Sequence, residues 1–168
     1  MKLIIPQKLL SLQEKTAIYD EQGSEKYYAE GLFAVAKNYR IYDPAGHELA
    51  SVHQKKVSST GTCIIERNGE EVARVIPKIT LVKPKYAVTP WDWTIEGNFK
   101  QSDFVIKEKG KVLVSVKPRL FTKGNAFEID IEDGADEINA LACVLIIEGL
   151  FETQILNAAV MTSFLAGK

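Results

Sequence analysis

A chain of 168 residues, 46% hydrophobic and 26% charged, has the size and composition of one soluble globular domain with a substantial core. Its formal net charge of −1 provides no overall pull toward nucleic acid or an anionic membrane, and no specific nucleic-acid binding is expected. The opening M-K-L-I-I-P lacks the apolar region and cleavage site of a signal peptide. No uncharged run reaches the roughly 18–20 residues of a membrane span, so a soluble, cytoplasmic, non-transmembrane chain is expected.

Taken in order, nearly everything up to residue 132 reads as short strands. A first strand is expected over residues 2–10. Gly23, Gly46 and Gly69 then fall 23 residues apart, each after a polar turn sequence, and Gly110 follows Glu108-Lys109. Asp-Pro-x-Gly and Asn-Gly are tight-turn chemistry, because proline presets one dihedral and glycine supplies positive φ. Gly46, Gly69 and Gly110 also share a register: an apolar residue stands three later (Leu49, Val72, Leu113) and a valine six later (Val52, Val75, Val116). Reading outward from the four turns predicts hairpins of 15–20 with 25–31, 37–43 with 47–55, 60–67 with 70–78, and 102–108 with 111–118. Strands at 83–89, 91–97 and 124–132 bring the total to about twelve. Alternation places Ala50/Val52, Ala73/Val75 and Val114/Val116 on one face and Ser51, Arg74 and Ser115 on the other.

The stretch from Asp136 to Ile147, D-E-I-N-A-L-A-C-V-L-I-I, differs in kind. It predicts a helix over about 135–148, capped by Asp133 or Asp136 and ended at Glu148-Gly149. From Ala140 onward it is apolar on every face, and such a helix has to be enclosed. A sandwich has no place for it. About eleven or more strands leave room along a barrel axis. A wall of 7–8-residue strands tilted near 40° is roughly 19 Å high, and about 13 helical residues span roughly 20 Å. The fold class is therefore mainly β: a closed antiparallel barrel of about twelve strands enclosing a hydrophobic C-terminal helix, in one domain over 1–168. A second helical piece over about 150–166 carries two apolar stripes, Phe151/Ile155/Ala159/Thr162 and Leu156/Val160/Phe164. It is expected to fold back on the barrel or to pair with a second copy, giving a homo-oligomer, rather than to lie on a membrane, because its only cation is Lys168.

The hairpins I-Y-D-P-A-G-H-E-L-A-S-V (41–52) and I-E-R-N-G-E-E-V-A-R-V (65–75), with I-D-I-E-D-G-A-D-E-I-N-A-L-A-C-V-L-I-I-E (129–148), make the chain resemble the bacterial members of the LURP-one-related group. The likeness covers about residues 2–148. It implies the fold of the tubby C-terminal domain and of phospholipid scramblases, a twelve-stranded barrel threaded by a helix. Tubby domains bind membrane phosphoinositides and scramblases are membrane-associated, which makes an anionic lipid the expected class of partner and a membrane-peripheral location the expected site of action. The eighteen or so residues after 150 depart from the family pattern.

Catalytic chemistry is not evident. His47 and His53, at i and i+6 on one strand, lie about 20 Å apart and do not share a metal. No nucleophile elbow, phosphate loop, C-x-x-C, H-E-x-x-H or dinucleotide fingerprint occurs. Cys63 and Cys143, far apart in apolar runs, read as reduced, inert core thiols. No catalytic residue, metal or cofactor is assigned, and the chain reads as a non-enzymatic binding module. Trp91 and Trp93 are expected on one strand face, packed at the barrel core or mouth rather than at a membrane interface.

Charge is more informative. Residues 72–123 hold eleven Lys/Arg against four Asp/Glu, and residues 124–152 none against eight. Lys83/Lys85, Lys107/Lys109/Lys111 and Lys117/Arg119 fall at strand spacing. A solvated exterior explains such lysines without any ligand. Gathered on one wall, they hold phosphate groups by charge-assisted hydrogen bonds. The candidate ligand-binding residues are Lys83, Lys85, Lys117 and Arg119, for an anionic lipid headgroup or another phosphate-bearing ligand.

Overall fold

The computed structural model describes residues 1–6, 15–33, 37–55, 61–121 and 124–167. These residues form β1 (Lys2–Pro6), β2 (Lys15–Asp20), β3 (Glu25–Phe33), β4 (Lys37–Tyr42), β5 (Glu48–Gln54) and β6 (Cys63–Arg67). The second half comprises β7 (Glu70–Lys78), β8 (Lys85–Thr89), β9 (Trp93–Asn98), β10 (Asp103–Glu108), β11 (Lys111–Phe121), β12 (Gly124–Ile131) and the helix α1 (Glu137–Ala166). Each strand pairs with its sequence neighbours, and β12 pairs with β1, so the sheet is a closed antiparallel barrel. Among the described residues, closure leaves no edge strand. The expected continuation of the first strand to Leu10 falls outside the described residues.

The glycine repeat has a physical meaning. Asn68 and Gly69 take φ of 53° and 79°, the two left-handed positions of a two-residue hairpin turn. Lys109 and Gly110 do the same at 48° and 81°. In each of the four glycine hairpins the ladder shifts register just before the turn, at Ile18/Tyr19, Ile41/Tyr42, Ile65/Glu66 and Ile106/Lys107. Such bulges add local twist and bend, which a closing sheet needs.

One face of every strand points inward. Ala50/Val52, Ala73/Val75 and Val114/Val116 are buried, as their alternation predicts, and they meet Leu141, Val144 and Leu145 of α1, which are 0% exposed. Asp136 caps the helix: its Oδ1 accepts from the Asn139 amide at 2.9 Å. Arg67 donates to Asp136 Oδ2 at 2.7 Å, and Lys26 pairs with Glu137 at 2.9 Å, so the tight turns hold the helix entrance.

Three local expectations change. The helix does not stop at Gly149 but runs unbroken to Ala166, because Gly149 lies where a β4 side chain crosses the helix backbone rather than at a helix end. Trp91 sits in the turn before β9, not on a strand face with Trp93; the two rings pack at 4.8 Å between centroids, and Trp93 Nε1 donates to Glu108 at 3.3 Å. Lys83 precedes β8, and Lys109 occupies a turn between Lys107 on β10 and Lys111 on β11, so neither set projects from a single strand. The expected apolar stripes of 151–164 involve side chains outside the described set.

Because the strands run alternately, the connections alternate between two ends. One end has the tight turns and the helix entrance. At the other, α1 leaves the barrel beside a 3-10 turn at Phe99–Gln101, where Ser102 Oγ donates to Glu148 Oε2 at 2.9 Å.

Candidate functional site

The two ends differ in charge. Among the described residues that connect strands, or β12 to α1, the tight-turn end holds six Asp/Glu and Lys109, while the helix-exit end holds Lys55, Lys83 and Lys100 and no acid. Linear charge segments missed this arrangement, because the meander sends alternate connections to opposite ends. The same meander breaks up the proposed cationic wall: acidic β9 and β12 residues interleave with cations of β8, β10 and β11. Glu96 on β9 pairs with Lys85 at 3.1 Å and with Lys107. Glu128 on β12 takes Lys2 at 2.9 Å and Arg119 at 3.1 Å. The Lys107 and Lys85 ammonium groups, in that order, hold the Glu96 carboxyl below its ordinary pKa.

Of the four candidate cations, Lys85 begins β8 and Lys83 lies in the bend before it, while Lys117 and Arg119 lie on β11, three strands away. Lys83 and Lys85 share a depression of about 430 Å³ with Glu96 and Asp103. Lys83 also lines a second, of about 490 Å³, together with Lys100. Lys100 lines a third, of about 130 Å³, with Ser102 and Arg119. The 3-10 turn thus places Lys100 between the β8 cations and Arg119, making a rim of Lys85, Lys83, Lys100 and Arg119 around the helix exit. Lys117, four residues from the end of β11, lines none of these depressions. Lys83 and Lys100 form no ion pair among the described residues, whereas Lys85 and Arg119 each share a carboxylate. Sequence reading overlooked Lys100 because it stands alone in N-F-K-Q-S-D, without strand spacing. Its available signal was position: Asn98-Phe99-Lys100 joins two strands at the helix-exit end.

Neither histidine contributes: His47 contacts Asp43 at 2.9 Å in the β4–β5 turn, and His53 lines a separate mixed-charge trough on the β4–β6 wall. No group of three or more His, Cys, Asp or Glu with metal-binding spacing occurs among the described residues. Cys63 and Cys143 are buried and unbridged. Within the described residues, no helix is long and apolar enough to cross a membrane.

The family model for LURP-one-related proteins matches residues 1–148. The chain belongs to the LURP-one-related family. The matched region ends at Glu148, within the buried stretch of α1, so the family unit is the barrel with its filling helix. A relative in Bacillus subtilis (strain 168), "Uncharacterized protein YxjI", is 26% identical over 149 residues, spanning 88% of this chain and 92% of that one. This LURP-one-related chain continues its helix about eighteen residues past the family match.

Proposed function

We propose that this LURP-one-related barrel is a non-enzymatic, cytoplasmic module that binds phosphate-bearing anions at the cationic rim around the helix exit. The supporting observation is that Lys100 bridges two candidate groups, next to Lys83, with neither lysine engaged by a carboxylate among the described residues. Lysines converging from β8 and the Phe99–Gln101 turn supply several N–H donors, and phosphate oxygens accept such bonds more strongly than neutral groups do. The rim depressions are shallow beside a barrel whose interior is filled by α1, which suits recognition of a headgroup better than enclosure of a substrate for chemistry. The sequence resemblance, which implies the fold of tubby C-terminal domains that bind membrane phosphoinositides, favours the same reading.

Titration of 15N-labelled protein with soluble inositol trisphosphate tests the reading. Amide shifts are expected at 83–85 and 99–103. Lys83→Glu/Lys100→Glu should abolish them, with the spectrum otherwise retained. Saturable shifts confined to the opposite end, or none, would refute it.

A further inference from the structure

The end that carries these lysines also carries apolar surface that no described residue covers. Residues 79–82, Ile-Thr-Leu-Val, join β7 to β8, and Ile79, Leu81 and Val82 are 104%, 104% and 86% exposed. Leu120, next to the last residue of β11 at the same end, is 85% exposed. Scattered exposed aliphatics are ordinary. Three within four residues, flanked by Lys78 on one side and Lys83 and Lys85 on the other with no acid among them, form an apolar patch bordered by cations. Helix α1 leaves by this end too, and from 150 to 166 its sequence carries one charge, Glu152.

We propose that the helix-exit end docks on an anionic bilayer, with Ile79, Leu81 and Val82 seated at the headgroup–acyl boundary and Lys78, Lys83, Lys85 and Lys100 on lipid phosphates. The proposal rests on the anion-binding reading above and adds the source of the anion. A freely diffusing phosphate compound leaves the three aliphatics in water. A bilayer interface offers apolar and anionic layers a few ångströms apart, the pairing this loop presents. The acidic tight-turn end is repelled by the same surface, so the field turns the barrel axis toward the membrane normal before contact. A second copy is the poorer occupant. Charge would bring its acidic end to this rim and press Ile79 and Leu81 against carboxylates.

Cys63 and Cys143 are buried, so Leu81→Cys provides one accessible thiol for an environment-sensitive dye. Addition of phosphatidylcholine–phosphatidylserine vesicles is expected to shift its emission to the blue, while phosphatidylcholine alone leaves it unchanged. Leu81→Ser/Val82→Ser should weaken vesicle partitioning by on the order of tenfold and leave the inositol trisphosphate titration intact. If inositol trisphosphate binds but the dye stays in water on the anionic vesicles, docking is overturned and the anion reading stands. If neither binds, the reading beneath it fails as well. A blue shift that grows with protein concentration in the absence of vesicles assigns the loop to a second copy and also overturns the proposal.

Discussion

Tyr39, inward-facing on β4, lies across the backbone of α1 at Gly149: a β-carbon there would stand 2.0 Å from the phenol oxygen and 2.7 Å from Cζ. The helix leaves the barrel under an aromatic ring, and only a residue without a side chain passes. Alanine is intrinsically better than glycine in a helix by about 1 kcal/mol, but here the clash dominates. Gly149→Ala is expected to destabilise by about 1–3 kcal/mol, the usual cost of overpacking. Chemical denaturation measures this. Tyr39→Phe, which removes the nearest atom, should recover part of the loss in the double variant; strictly additive effects would show that the two residues do not meet.

Ser102 forms a second attachment at the same exit. Its hydroxyl donates to the buried Glu148 carboxyl at 2.9 Å from a backbone with φ of 52°. Ser102→Ala removes a buried hydrogen bond and leaves its acceptor unmatched, and is expected to cost about 1–3 kcal/mol. Ser102→Gly removes the same bond but relieves the left-handed backbone, so it should be less damaging than alanine by about 1 kcal/mol. Equal denaturation midpoints for the two variants would remove the backbone contribution from the account.

These two contacts mark what the chain discloses in one dimension. Turn chemistry at Asn68-Gly69 and Asp43-Pro44-Ala45-Gly46, with period-two alternation beyond it, encodes the hairpins. The all-round apolar face of Ala140–Ile147 encodes an enclosed helix, because a helix without a polar side has no stable exposed position. Contacts between residues distant in sequence are less visible. Gly149 has the local signature of a helix stop, and its true reason is a ring 110 positions earlier. Lys109 takes a left-handed turn conformation that nothing in its side chain favours. The candidate site was half legible: Lys83 and Lys85 are identifiable as cations, but the bridge through Lys100, and the neutralising acids Glu96 and Glu128, depend on which strands become neighbours. The segregation of charge to opposite ends is readable only after the strand directions are known.

Glu96 links stability, pH and binding. Its carboxyl, held by Lys107 and Lys85, titrates below the ordinary 4.5 in the folded barrel. A depressed folded value means that the pairing stabilises the fold above about pH 4.5 and that this contribution is lost as pH falls through the lower folded value. Glu96→Gln is expected to flatten that part of the acid-denaturation curve, measured as the denaturant midpoint from pH 6 down to about pH 3. At neutral pH the same variant releases both lysines and removes one negative charge beside the rim. Affinity for anionic vesicles should rise by about fivefold, comparable with adding one cation near the surface, and the gain should shrink with salt. Weaker vesicle binding by Glu96→Gln would argue that the ion pair positions Lys85 for its ligand rather than competing with it.

Among the described residues the helix is buried through Gly149, and Leu150 is partly buried against the core at the rim. The family match ends at Glu148, so a chain ending at Thr153, one turn past the Gly149 crossing, keeps the whole family unit and is expected to fold. The thiol of Cys143 supplies the readout. It is 0% exposed at mid-helix, and burial pushes its pKa well above the ordinary thiol value, so a thiol reagent reaches it only through unfolding. The shortened chain should protect Cys143 as fully as the whole chain does under native conditions and melt within a few degrees of it. Rapid labelling of Cys143 in the shortened chain would mean that residues 154–168 hold the helix inside the barrel. The outer half of α1 would then be part of the fold rather than an appendage to it.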